Sequence, residues 1–214
     1  MKTLRTAIVA ATLMSSASAM AEVSGNVAVG SDYFFRGFDQ SMGFALSGGF
    51  DVDLGGGLYA GTWGSSVDDF TSTGGLELDH YIGFGGSFSD SVSYDIGYIL
   101  YTYPNDTQYN FEEVYGSVSF SDVTLGFATS DDWYGESGSY DYLYADYSMA
   151  LSDAYSLGFH YGVHSGAGDY DDYSISLSTE AAGLGFDLSW ISTSEAGEEA
   201  YADNEFVLTI SKSM

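Results

Sequence analysis

The chain has 214 residues, enough for one domain, and carries 31 Asp and Glu against 4 Lys and Arg, a formal net charge of −27. So acidic a chain has no basic footprint for phosphate, which excludes nucleic acid as a partner. There is no Cys, so a disulfide framework, a thiolate metal site and a thiol nucleophile are all excluded, while 28 Gly, 19 Tyr and one Pro argue against a helical fold.

The start of the chain has the pattern of a secretory signal peptide. Lys2 and Arg5 precede a short apolar core from Ala7 to Met14, and Ala19-Met20-Ala21 places small residues at a cleavage site. We expect residues 1–21 to be removed, with a cut after Ala19 as the alternative, leaving one domain over 22–214. Arg36 and Lys212 are then the only Lys or Arg residues left. No stretch is long and apolar enough for a membrane-spanning helix.

From there the chain alternates between apolar and small or polar residues about a dozen times. Leu184, Phe186, Leu188 and Trp190 interleave with Gly185, Asp187, Ser189 and Ile191, for example. Side chains of a strand point alternately to its two faces, so each such stretch has a greasy face and a polar one. The pattern predicts strands over 22–33, 44–54, 58–67, 76–87, 92–103, 111–120, 123–130, 140–150, 155–165, 173–180, 184–193 and 204–212. Each approaches the roughly 9–11 residues that a tilted strand needs to cross a bilayer.

The connections alternate too. Tight Gly, Ser and Asp turns fall at 55–57, 89–91, 121–122, 152–154 and 181–183, and longer segments at 34–43, 65–75, 104–110, 131–139, 166–172 and 194–203. The expected fold is all-β: a transmembrane antiparallel up-and-down β-barrel of about twelve strands, with short periplasmic turns and long extracellular loops.

Parity assigns Val27, Val29, Leu46, Phe50, Val52, Leu78, Ile82, Phe84, Ile96, Val118, Leu125, Phe127, Leu143, Phe159, Leu177, Phe186, Leu188, Leu208 and Ile210 to lipid. It assigns Asp51, Asp53, Glu77, Asp79, Tyr81, Asp95, Glu113, Tyr115, Tyr144, Asp146, His160 and Asp187 to the lumen. A charge on the lipid face costs roughly 2–4 kcal/mol at the bilayer midplane, so the gathering of carboxylates on one parity is the strongest argument for a barrel. Trp63, Tyr94, Tyr142, Tyr155 and Trp190, near strand ends, are expected in aromatic girdles.

The stretch from Gly25 through Asp32-Tyr33-Phe34-Phe35-Arg36-Gly37-Phe38-Asp39-Gln40 to Ser41 resembles the opening of the TorF porin family. Leu58-Tyr59-Ala60-Gly61-Thr62-Trp63, Glu77-Leu78-Asp79-His80-Tyr81 and Gly97-Tyr98-Ile99-Leu100-Tyr101 continue the likeness. The resemblance implies an outer-membrane location and a channel, and brings no solute with it. It also implies partners in outer-membrane lipid and the barrel-insertion machinery. That machinery reads a terminal aromatic in most barrels, whereas this sequence ends in Ser213-Met214, a weakened signal.

No motif points to catalysis. The three histidines are His80, His160 and His164. His80 has lipid-facing parity. His160 and His164 lie about 13 Å apart at strand rise, too far to chelate one ion, and no spacing supports an outer-membrane hydrolase. The acidic segments Asp68-Asp69, Asp131-Asp132 with Glu136, Asp169-Asp171-Asp172 and Glu195-Glu198-Glu199-Asp203 lack the offsets of an EF-hand and read as solvated loops, with weak divalent-cation binding as the alternative. We therefore expect no catalytic residue, no metal ligand and no cofactor.

The expectation is a passive channel for small solutes that prefers cations, with Arg36, Glu77, Asp79, Asp95, Glu113 and Asp146 as its lumen residues. The alternative is a non-conducting structural or adhesive barrel. Arg36 has the lumen parity of the first strand, and Glu77, Asp79 and Glu113 are the acids it is expected to pair with; a solvated loop arginine is the alternative.

Overall fold

Twelve strands pair antiparallel into one closed sheet in a computed structural model that describes residues 22–68, 75–166, 168–195 and 204–214. They are β1 (Glu22–Gly30), β4 (Ala45–Gly55), β5 (Leu58–Val67), β6 (Gly75–Ser89), β7 (Val92–Thr102), β8 (Phe111–Phe120), β9 (Val123–Trp133), β10 (Glu136–Ala150), β11 (Tyr155–Gly166), β12 (Tyr170–Ala181), β13 (Leu184–Thr193) and β14 (Glu205–Ser213). The two remaining strands, β2 (Phe34–Phe35) and β3 (Phe38–Asp39), form a small hairpin within the first long connection. The expected signal peptide lies outside the described residues, as do Asp69, Glu198, Glu199 and Asp203.

Neighbours in sequence are neighbours in the sheet, as expected of an up-and-down barrel, and the wall closes where β1 meets β14. That seam pairs Asn26 to Gly30 with Ser213 to Thr209 and is extended by Met214 N–H donating to the Gly25 carbonyl at 2.8 Å. Closure removes every free edge.

The two faces sort by parity. Phe50, Leu125, Leu143 and Leu188 are exposed on the outside, together with Leu46, Ile82, Ile96 and Leu208. An apolar belt on this scale does not belong in water. The acids of outward parity on the strands, Glu112, Asp131, Asp141 and Asp171, stand toward the rim with the long connections. His80 also faces outward and is exposed.

Inside, glycine and tyrosine fit together. Tyr81 lies opposite Gly61, Tyr59 opposite Gly83, Tyr115 opposite Gly97 and Tyr144 opposite Gly126. At each of these glycines an added Cβ would overlap the tyrosine ring. The rings can therefore lie flat on the wall only because their cross-strand partners have no side chain. This pairing accounts for much of the unusual composition.

Three expectations are corrected. Residues 131–139 are not a loop: β9 and β10 continue as a tall hairpin through Tyr134 and Gly135, with φ of 49° and 76°, the twist-matching turn of hairpins. Asp172 is not in a solvated loop but on the inner face of β12, 3% exposed. Trp63 and Tyr142 are not girdle residues. Trp63 packs edge-on against Tyr33 inside the barrel, and Tyr142 is 4% exposed.

Candidate functional site

The first long connection, residues 31–44, folds inward across the lumen. It is shaped locally. Asp32 Oδ1 accepts from Tyr33 N–H at 2.7 Å and Ser41 Oγ at 2.6 Å, and Asp39 Oδ1 accepts from the N–H groups of Ser41 and Met42. The tip of the β2–β3 hairpin is Arg36-Gly37, with φ of 49° and 85°. Left-handed φ at both central positions gives the tight turn that matches strand twist. Gly37 suits it, whereas an arginine there is uncommon and is held by what its side chain touches.

Those contacts are extensive. Arg36 Nη1 and Nη2 donate to Glu113 Oε1 and Oε2 at 2.8 and 2.9 Å, a bidentate pair, and Nη1 also donates to the Tyr140 hydroxyl at 3.2 Å. The guanidinium lies 4.2 Å from the Tyr142 ring centroid and 4.6 Å from that of Phe35. Tyr101 OH donates to Glu113 Oε2 at 3.1 Å and fixes the carboxylate from the other side. Burial works against the arginine's charge, but the Glu113 carboxylate outweighs it and holds the guanidinium's pKa above its ordinary value.

The loop reaches the rest of the wall as well. Tyr33 OH donates to Glu77 Oε1 at 2.9 Å, and Tyr103 OH donates to the other oxygen at 2.7 Å. Phe38 packs on Tyr170 with ring centroids 4.8 Å apart, and a Cβ on Gly37 would press on Asp172 and Thr193. Tyr134 OH donates to Gln40 Oε1 at 3.2 Å. The apolar cluster of Val67, Tyr101, Tyr103 and Phe111 closes around Tyr33 and Phe35. Glu77, Glu113, Phe111, Ser65, Ser192 and Thr193 are consequently about 1% exposed. With the loop seated, this half of the lumen is filled.

The six residues singled out from the sequence therefore divide. Arg36 and Glu113 meet, and Glu77 is tied to the same loop through Tyr33. Asp79 is 5% exposed, near Glu77 and Glu113, and its Oδ1 has no hydrogen-bond partner among the described residues. Asp95 lies further toward the short turns, accepting from Tyr59 OH at 2.8 Å, with Tyr115 OH 2.8 Å from the Tyr59 hydroxyl. Asp146 belongs to a separate network. His160 Nδ1 sits 2.6 Å from Asp146 Oδ1, and its Nε2 sits 3.0 Å from Asp172 Oδ1 and 2.8 Å from Tyr142 OH.

Sequence reasoning missed Tyr140, Tyr142, Tyr103 and Asp172 as members of the site. Asp172 shares parity with the inward serines Ser176 and Ser178, a signal that was present. Tyr140 and Tyr142 share the inward parity of Tyr144 and Asp146 on β10, but tyrosine suits both a lumen and a membrane interface, so parity alone did not mark them as part of the site. Near the loop's base Asp32, Asp39 and Glu205 bring carboxylate oxygens within 4.8 Å of one another. Burial first, and then the neighbouring Asp32, push the Asp39 carboxyl up to about 7, against the two N–H bonds that it accepts from Met42 and Ser41.

A closed barrel with an apolar exterior, an acidic and tyrosine-lined interior and an inward first loop defines an up-and-down transmembrane barrel protein. The chain belongs to the Gcw_chp family, described as a bacterial protein of unknown function, over residues 14–214. Its fold is similar to that of the KdgM porin, at 11% identity and a TM-score of 0.61 over 89% of this chain and 99% of that one. The same porin in complex with disordered oligogalacturonate matches at 9% identity and 0.58, over 90% and 98%. The NanC porin matches at 11% and 0.54, over 87% and 97%. No curated protein matches the chain in sequence.

Proposed function

We propose that this protein is a porin-like passive channel of the bacterial outer membrane, selective for cations, with its long connections extracellular and its tight turns periplasmic. The observation that carries the reading is the separation of faces. Apolar side chains cover the outside of a closed barrel, while Asp51, Asp79, Asp95, Asp146 and Asp187 line the inside against a single inward arginine among the described residues. An acidic lumen with low-dielectric walls concentrates cations and repels anions. The resemblance of the first loop to the TorF porins and the shared fold with known porins support the channel reading. Oligogalacturonate, bound by one of those porins, is a polyanion, and this lumen would repel it. The solute here is neutral or cationic.

Outer-membrane lipid and the barrel-insertion machinery are the partners this reading requires. It also leaves the protein without catalysis. Both ring nitrogens of His160 face carboxylates, so neither is left to serve a serine as general base. The seated first loop favours a second reading, a barrel that does not conduct while the loop is in place. Single-channel recording in a planar bilayer across a salt gradient separates the two. The channel reading expects a cation-selective reversal potential that fades as ionic strength rises. Anion selectivity refutes the cation preference, and absence of any conductance at all potentials supports the structural barrel.

A further inference from the structure

We propose that the chamber now holding Arg36 is a recognition site for guanidinium-bearing solutes, and that Arg36 is a tethered competitor for it. For its biological meaning this rests on the channel reading; as a binding site it is measured without conduction.

Nearly everything that grips the arginine belongs to the barrel. Glu113 comes from β8, Tyr101 from β7, and Tyr140 and Tyr142 from β10; only Phe35 travels with the loop. When the loop lifts, the wall keeps a carboxylate whose two oxygens are already aligned for a fork of N–H donors. One of them is pre-set by Tyr101, and an aromatic face stands beside the pair. A planar, delocalised, weakly hydrated cation fits such a box, through paired charge-assisted hydrogen bonds and a ring face. A hydrated alkali ion or a compact ammonium uses neither the fork nor the face as well.

A second observation points the same way. Arg36 neutralises one carboxylate, yet the chamber wall holds three buried ones: Glu113, Glu77 and Asp79. Asp79 has an oxygen with no hydrogen-bond partner among the described residues, and a buried, unpartnered carboxylate oxygen is an expensive thing to keep. It is a spare acceptor for a cation entering beside the one that Glu113 holds. The backbone of Arg36 adds to this, because a left-handed arginine is retained by its side-chain contacts and relaxes once they are exchanged. A side chain on a short tether competes at an effective concentration on the order of millimolar, so free guanidinium displaces it only when present at comparable levels.

The test is calorimetric titration of the refolded, detergent-solubilised protein with ethylguanidinium, against ethylammonium and NaCl at matched ionic strength. Arg36→Ala should bind ethylguanidinium at least about tenfold more tightly than wild type does, a gain of about 1.4 kcal/mol, and more tightly than it binds ethylammonium. Adding Glu113→Gln should abolish the binding. Wild-type protein gives a second measurement that needs no variant to fold. Ethylguanidinium should speed chymotrypsin cleavage within residues 31–44, and NaCl should not. The proposal is overturned if Arg36→Ala binds ethylguanidinium no better than wild type, if Glu113→Gln leaves binding intact, or if NaCl frees the loop equally well. Binding by a barrel that never conducts would refute the channel and keep the site. Conduction without binding would do the reverse.

Discussion

Replacing Gly83 with Ala tests the fit of tyrosine on glycine that lines the lumen. The new methyl would overlap the Tyr59 ring, which lies directly across the β5–β6 ladder. The barrel has two responses. It can part the strands to keep the ring flat, an overpacking that costs about 1–3 kcal/mol. Or it can swing the ring into the lumen, which breaks the 2.8 Å bond to Asp95 and the 2.8 Å contact with Tyr115. A hydrogen bond to a charged acceptor is worth about 1.5–3 kcal/mol. Either way the loss is about 1–3 kcal/mol, and the second response also narrows the lumen. Urea titration in lipid vesicles, followed by tryptophan fluorescence, measures it. Gly168→Ala serves as the control, since a methyl there meets nothing within 4 Å. In a Tyr59→Ala background the cost of Gly83→Ala should fall below about 0.5 kcal/mol, because the two positions then no longer touch. Equal costs at Gly83 and Gly168, or an undiminished cost without Tyr59, would refute the reasoning.

Phe186→Lys, on the outer face, should weaken insertion by about 2–4 kcal/mol, and Asp187→Lys, whose wild-type carboxylate accepts from Ser178 and Ser189 inside the barrel, should do so far less. Equal effects in a folding titration would overturn the face assignment. The seating of the first loop should weaken as pH rises. Asp39 titrates near 7 in the seated loop and near 4 once freed, so the seated form holds the extra proton, and its advantage is present at low pH and lost as pH climbs through that window. Chymotrypsin should therefore cut the loop faster at pH 8 than at pH 5, and Asp39→Asn should flatten the difference. Unboiled protein should migrate apart from boiled protein in SDS gels, as a closed sheet resists the detergent; coincident bands would argue against closure.

The strands were legible in the sequence because a two-residue period leaves little freedom once one face must meet lipid. Strands 58–67, 111–120 and 184–193 are found with the expected bounds, and Glu77, Asp79 and Glu113 stand inside as parity requires. Alternation does not report height along the barrel axis. Asp131, Asp132 and Trp133 look like a polar loop, yet ladder pairing carries them on as strand. Nor does it report where a connection travels. That Arg36 would meet Glu113, and not Glu77, depends on the angle at which the loop crosses the lumen, which is set by contacts with strands distant in sequence. Tyr140 and Tyr142 join the site for the same reason.

The seam between β1 and β14 has a consequence for how the molecule is made. Every other pairing in the barrel wall joins wall strands that follow one another along the chain and can form as a local event; this one brings together residues about 180 positions apart. Distant pairings carry the greatest loop-closure entropy and are slow. Until the seam forms, β1 and β14 each present a bare ladder edge, and the half-made sheet can add a strand from another copy. The sheet gains its resistance to dissociation in a single late step. A defect at Val27, Val29 or their partners would then show as slow, aggregation-prone assembly well before it showed as reduced stability of the finished barrel.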